Sequence, residues 1–181
     1  MLSFDVRFTE AADMAGVCEI VNHYIRTAPF HFRTEPQAPC EWVDDWERTH
    51  ARYPWLVAVQ DKAILGVAYG STWNSRAAYD WCAEVTVYVA HDAARQGVGR
   101  ALYDRLLAEM DGQGYRTQIA VIALPNDPSV ALHEAFGFDH AGTLREVGYK
   151  AGTWLDVGLW QRSVGSAGIA PLPIAPVNRW R

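Results

Sequence analysis

Between Glu84 and Val89 the chain alternates. Glu84, Thr86 and Tyr88 fall on one face of an extended segment, and Val85, Val87 and Val89 on the other, the period-two signature of a strand. After a glycine-bearing turn the period changes. Val98, Leu102, Leu106 and Met110 recur at every fourth position and predict a helix from Val98 to about Gln113, with Gly114 suited to end it. The same reading applied upstream gives a short strand from Val6 to Phe8. An amphipathic helix with Met14, Val17, Cys18, Val21 and Ile25 on its apolar face follows, with Thr9 as its cap and Asp13 near its start. A second helix is expected from Glu41 to His50, then a hairpin of Trp55–Val59 and Ile64–Tyr69 turning at Asp61-Lys62, and a polar loop over Trp73–Tyr79. Downstream come a strand from Gln118 to Ala123, a helix opened by Asp127 as N-cap with Pro128 at N1 and stopped by Gly137, and strands near Ala141–Val147 and Trp154–Gln161.

The resulting order is β-α-α-β-β-β-α-β-α-β-β. It predicts an α/β (α+β) fold, a mixed central sheet with helices on both faces. One domain over residues 1–164 is expected, with an irregular tail over 165–181 that carries three prolines. Half of the residues are hydrophobic, enough for a sizeable core. No run of eighteen apolar residues suggests a membrane span. The N-terminus does not read as a signal peptide, so the cytoplasm is expected. Cys18, Cys40 and Cys82 are scattered and odd in number, and the histidines lack metal-site spacing, so neither a disulfide framework nor a metal site is expected. The formal charge of −5 argues against nucleic-acid partners and requires an anionic ligand to be held by local donors.

Local donors are available. In Arg95-Gln96-Gly97-Val98-Gly99-Arg100-Ala101 a strand feeds a glycine turn and a helix N-terminus. Glycine allows close backbone approach, the first-turn amides lack intrahelical partners, and the helix dipole adds partial positive charge. A pyrophosphate suits such a cradle, and an ordinary βα turn is the plainer alternative. Glu84, on a strand flanked by apolar residues, is a candidate base whose pKa burial would raise. The plainer alternative for it is a solvent-facing edge glutamate.

The turn, with Asn126-Asp127-Pro128-Ser129-Val130-Ala131-Leu132-His133-Glu134-Ala135-Phe136-Gly137-Phe138 one strand later, resembles the GNAT superfamily of N-acetyltransferases. Ala94 stands where that superfamily usually has Arg or Gln. Phe32-Arg33-Thr34-Glu35-Pro36, Arg52-Tyr53-Pro54-Trp55, Ala78-Tyr79-Asp80-Trp81, Leu124-Pro125-Asn126-Asp127 and Gly152-Thr153-Trp154-Leu155-Asp156 narrow the resemblance to the phosphinothricin acetyltransferase branch, from about Val6 to Gln161.

The resemblance implies that the two central strands splay apart and that acetyl-CoA lies in the gap. Val87, Tyr88 and Val89 would bond its pantetheine arm, the Arg95–Ala101 turn would hold its phosphates, and Asn126 would bond it or shape the turn. Glu84 matches the family's catalytic carboxylate. His133 stands where many members carry a tyrosine near the CoA sulfur, and would either protonate the leaving thiolate or hold the acceptor. Phe32 becomes a wall of the acceptor pocket, and Arg76 with Tyr79 grips an acceptor carboxylate. The implied reaction is direct transfer of acetyl from acetyl-CoA to the α-amine of a small amino acid such as phosphinothricin or methionine sulfoximine. The resemblance leaves room for a homodimer. Two alternatives stay open, a non-catalytic acyl-CoA-binding module and an acetyltransferase for protein or peptide amines.

Overall fold

The computed structural model of the chain describes residues 3–165 and 168–178. Its elements follow the expected order: β1 (Asp5–Phe8), α1 (Met14–Thr27), α2 (Pro39–Thr49), β2 (Trp55–Gln60), β3 (Ala63–Thr72), β4 (Cys82–Val89), α3 (Val98–Gln113), β5 (Thr117–Leu124), α4 (Asp127–Ala135), β6 (Asp139–Lys150) and β7 (Thr153–Ser163), with three short 3-10 turns between them. They build one seven-stranded sheet in the order β1-β2-β3-β4-β5-β7-β6. Every neighbouring pair is antiparallel except β4 with β5.

The pleat sorts the core into two layers. Leu56, Ala58, Ala68, Ala83 and Val85 point to one face and pack against Val98, Leu102, Leu106 and Met110 of α3. Trp55, Val57 and Val67 point to the other and pack against Met14, Val17, Val21 and Ile25 of α1 and Trp42 and Trp46 of α2. Each strand alternates sides, so helices must cover both faces. Glu84 shares its face with Tyr88, which packs against the α1–α2 layer.

The parallel pair is short. β4 and β5 match only at Cys82 with Thr117, Ala83 with Gln118 and Glu84 with Ile119, whereas β4 stays paired with β3 from Ala83 to Val89. Beyond Glu84 the two central strands separate. This is the expected splay, and Glu84 is the last β4 residue before it opens.

Two local expectations are corrected, and a third element is more firmly held than its sequence suggests. Thr9 does not cap α1. Its hydroxyl donates to the Trp55 carbonyl at 3.3 Å, and the Asp13 carboxylate accepts the Glu10 amide at 2.8 Å while pairing with Arg7. Asn126, not Asp127, is the N-cap of α4, its side-chain oxygen accepting the Ser129 amide at 3.4 Å. The tail over 168–178 lacks regular structure but is tied down, since the Leu172 carbonyl accepts the Trp81 indole and Ala175 exchanges bonds with Gln113. Residues 166–167 and 179–181 of that expected tail lie outside the described residues.

Candidate active site

The glycine turn lies where β4 ends. Arg95 and Gly97 both take positive φ, 61° and 86°, and Gly97 is the N-cap of α3 with no side chain capping the helix. The first i→i−4 bond at this end runs from the Ala101 amide to the Gly97 carbonyl at 3.0 Å. The amides of Val98, Gly99 and Arg100 therefore open on the end of the helix without intrahelical acceptors. A Cβ on Gly99 would lie 3.3 Å from Val89 Cγ2 and 3.7 Å from Leu132, so the cradle sits between the end of β4 and α4. No atom lies within 4 Å of a Cβ built on Gly97. The donor set, the left-handed glycine and the open space fit a pyrophosphate. Gln96 turns its side chain back onto the Asp92 carbonyl at 2.9 Å, and the Arg100 guanidinium lies 5.6 Å from the centre of the Phe136 ring. Ala94 ends a 3-10 turn over His91–Ala93 and is exposed.

Along β4, Val87 and Val89 face the α3 layer, and Tyr88 faces the other. The Val89 carbonyl accepts the Tyr24 hydroxyl at 2.7 Å. Past Glu84, the edge of β4 that faces β5 has no ladder partner among the described residues. Backbone groups left open in this way can bond an extended ligand strand-fashion.

Glu84 lies opposite Ser71 on β3. Among the described residues no side-chain hydrogen bond or ion pair engages its carboxylate, and burial raises its pKa above the ordinary 4.5. Its charge is felt at the hydroxyls of Tyr69 and Tyr88 on its own side of the sheet, and of Tyr103 on α3. On the Glu84 side lies a hollow of about 420 Å³ lined by His31, Arg33, Trp42, Trp55, Tyr69 and Ser71, among others.

His133 on α4 is 4% exposed. Its Nδ1 lies 2.7 Å from the Ser129 carbonyl, which can only accept, so Nδ1 carries the proton. Its Nε2 then accepts the Tyr103 hydroxyl at 2.6 Å. Both ring nitrogens are engaged inside the protein, and burial holds its pKa below the ordinary 6.5. Asn126 uses its side-chain oxygen on α4.

Phe32 is 41% exposed, and its ring covers Gly148 of β6 so closely that a Cβ there would collide with it. Arg76 and Tyr79 lie on the exposed loop that joins β3 to β4 at the Glu84 end. Arg76 precedes a 3-10 turn, and its amide bonds the Asn74 side chain at 3.1 Å. Neither lines the hollow. Tyr103, His31 and Arg33 were not singled out as site residues from the sequence. Tyr103 reads there as helix interior, and the other two as part of an aperiodic loop.

A parallel pair that parts after three residue matches, a glycine-capped helix end and a half-buried carboxyl at the last matched pair fit an acyl-CoA-binding transferase. The profile described as an acetyltransferase (GNAT) domain matches residues 6–159, and the chain belongs to that family. It is an acetyl-CoA-dependent N-acetyltransferase. The chain is 54% identical over 175 residues to phosphinothricin N-acetyltransferase of Streptomyces viridochromogenes, covering 97% of this chain and 95% of the relative. It is 31% identical over 159 residues to the L-methionine sulfoximine/L-methionine sulfone acetyltransferase of Salmonella typhimurium, covering 86% and 92%. The crystal structure of a GNAT phosphinothricin acetyltransferase from Sinorhizobium meliloti in complex with acetyl-CoA superposes with a TM-score of 0.88 at 30% identity, covering 94% of each chain.

Proposed function

We propose that this enzyme acetylates the α-amine of a small amino acid of the phosphinothricin or methionine sulfoximine type, with Glu84 as general base. The observation that carries this reading is the Glu84 carboxyl, raised by burial, without a cationic partner among the described residues, at the last matched pair before the central strands part.

An α-ammonium cannot attack a thioester until it gives up a proton. Its pKa lies above neutrality, so only a minority is free amine at neutral pH. Glu84 takes that proton, directly or through one water. Its raised pKa makes it a better match for the task than an exposed carboxylate. Bound acetyl-CoA would supply the activated acetyl group, with CoA departing as the thiolate when the thioester C–S bond breaks and the amide C–N bond forms. The amides of Val98, Gly99 and Arg100 hold the pyrophosphate at the end of α3, and the unpaired edge of β4 over Val87–Val89 holds the pantetheine arm. A thiol of ordinary pKa about 8.5 is a fair leaving group, so a dedicated acid is not needed.

The Tyr103 hydroxyl is a poor acid, because burial raises its pKa well above the ordinary value. We therefore give Tyr103 and His133 a positioning part, holding α4 against α3 at the edge of the gap. Arg76 and Tyr79 meet the acceptor's α-carboxylate from the β3–β4 loop, and Phe32 walls the pocket.

Release of free CoA from acetyl-CoA, followed against a panel of amino acids, peptides and proteins, tests the reading. Turnover on phosphinothricin and methionine sulfoximine supports it. Turnover only on protein amines, or on nothing in the panel, overturns it.

The partner reading is a homodimer in the cytoplasm, where acetyl-CoA is made and used. Leu144, Val147, Tyr149 and Trp154 expose 48–60% of their surface on the β6–β7 hairpin. Clustered apolar exposure of this kind suits a second copy of the chain. Sedimentation giving a monomer at micromolar concentration would remove the dimer.

A further inference from the structure

The hollow on the Glu84 side of the sheet is lined by Ser71, the β3 partner of Glu84, and by a charged residue that has no part in the chemistry described so far. Arg48 and Asp45 line it, but they pair with each other. Arg33 also lines it, and among the described residues no carboxylate pairs with its guanidinium. Arg33 lines the hollow together with His31, whose ring packs against Tyr88 at 5.7 Å.

His31 adds a neutral donor. Its Nδ1 accepts the Arg33 amide at 3.2 Å, so the neutral ring carries its proton on Nε2. Burial, with Lys150 and Arg33 nearby, lowers its pKa to about 4. The ring is therefore uncharged at working pH and offers a single N–H.

The segment is held in place from three sides. The Lys150 ammonium donates to the carbonyls of Ile25 at 2.7 Å, Ala28 at 3.0 Å and His31 at 2.6 Å. Phe32 is seated on Gly148. Further along, the Gln37 backbone exchanges hydrogen bonds with the Asn22 side chain at 2.8 and 2.9 Å. The backbone that carries these donors is anchored, so less of the segment has to be ordered when a ligand arrives.

Resting on the amino-acid acceptor reading, we infer that Arg33 and the His31 N–H together receive the acceptor's side-chain head, and that Arg33 makes the enzyme prefer an anionic tetrahedral head over a neutral one of the same shape. Ser71, directly opposite Glu84, lines the same hollow. An acceptor whose amine meets Glu84 beside Ser71 would extend its side chain into the hollow, where Arg33 meets an anion. A methylphosphinate and a methyl sulfone differ little in size, and both carry two acceptor oxygens. Only the phosphinate carries the charge a guanidinium rewards.

Phosphinothricin and methionine sulfone separate the possibilities, since both carry the same α-amine and α-carboxylate. Calorimetry in the presence of CoA gives their dissociation constants, and CoA release gives kcat/KM. The native enzyme should favour phosphinothricin, and Arg33→Met should lower that preference at least tenfold in both readouts, with Arg33→Lys restoring part of it. Arg33 is exposed, so the variant is expected to fold. A preference within twofold of native in Arg33→Met overturns the inference. An equal loss on both acceptors also overturns it, because Arg33 would then be meeting the shared α-carboxylate. The binding readout stands without turnover, so a protein that bound both amino acids but acetylated neither would sink the acetyltransfer reading and still decide the part of Arg33.

Discussion

The Tyr103 hydroxyl donates to His133 Nε2 at 2.6 Å, closing a chain that runs from α3 through the imidazole to the Ser129 carbonyl on α4. Tyr103 is fully buried and His133 nearly so. Among the described residues the Tyr103 hydroxyl is the partner of Nε2, while Nδ1 also lies 3.4 Å from the Ser129 hydroxyl. Tyr103→Phe removes the donor and strands Nε2, and an orphaned buried acceptor costs about 1–3 kcal/mol. Thermal or denaturant unfolding should show a loss of that order. The kcat should fall less than about tenfold, and alike for anionic and neutral acceptors. A stable variant with a large acceptor-dependent loss of kcat would make the pair part of the acceptor site instead. The imidazole adds a pH signature. Its folded pKa lies below the ordinary 6.5, so its contribution is complete above that value and is lost as pH falls through the folded pKa.

The cofactor cradle makes a separate prediction. Gly97 takes φ 86°, and no atom lies within 4 Å of a Cβ built there. Gly97→Ala therefore creates no clash and acts through backbone strain, about 1–2 kcal/mol for a left-handed alanine. Relaxing that strain swings the amides of Val98 and Gly99 away from their common focus. Calorimetry should show acetyl-CoA affinity reduced several-fold in a folded variant. Unchanged affinity would mean that the phosphates are held elsewhere.

Much of this arrangement is readable from the residues in order. Val98, Leu102, Leu106 and Met110 repeat strictly, and Gly97 and Gly114 stand on either side, so the expected limits of α3 match the observed Val98–Gln113. Local capping is less determinate. Asn126 and Asp127 are equally good N-caps by type, and which one acts depends on where the backbone leaves β5. The hairpin strands β6 and β7 extend beyond their expected ends, where Asp139, His140, Thr153 and Ser163 are polar and exposed and so hidden from a hydrophobic pattern.

Long-range relationships are the least legible. Lys150 reaches carbonyls more than a hundred residues away, and no local feature of Tyr149-Lys150-Ala151 announces it. Tyr103 lies beside the apolar stripe of α3 and looks like ordinary core until α4 brings His133 against it. The splay was expected only through resemblance to a family. It is a property of strand pairing that composition does not encode.

Glu84 gives a stability prediction opposite in sign to the usual loss on mutation. Burial raises its folded pKa above the ordinary 4.5, so the folded state favours the protonated form. The penalty is absent below the unfolded pKa and grows as pH rises through the folded pKa. Glu84→Gln keeps the shape and removes the penalty. The variant should unfold at a higher temperature than the native enzyme at pH 8, and the two should converge near pH 4. A lower melting temperature at pH 8 would mean that the carboxylate has a stabilising partner.

The most direct test of the catalytic account is kcat for CoA release by Glu84→Gln at pH 7 with phosphinothricin and saturating acetyl-CoA. An amide cannot accept the amine's proton as a carboxylate does. General-base catalysis is worth roughly a hundred- to ten-thousand-fold, and kcat should fall by that order while the acetyl-CoA dissociation constant stays at its native value. A kcat within a few-fold of native, in a variant that binds acetyl-CoA normally, would contradict the role given to Glu84.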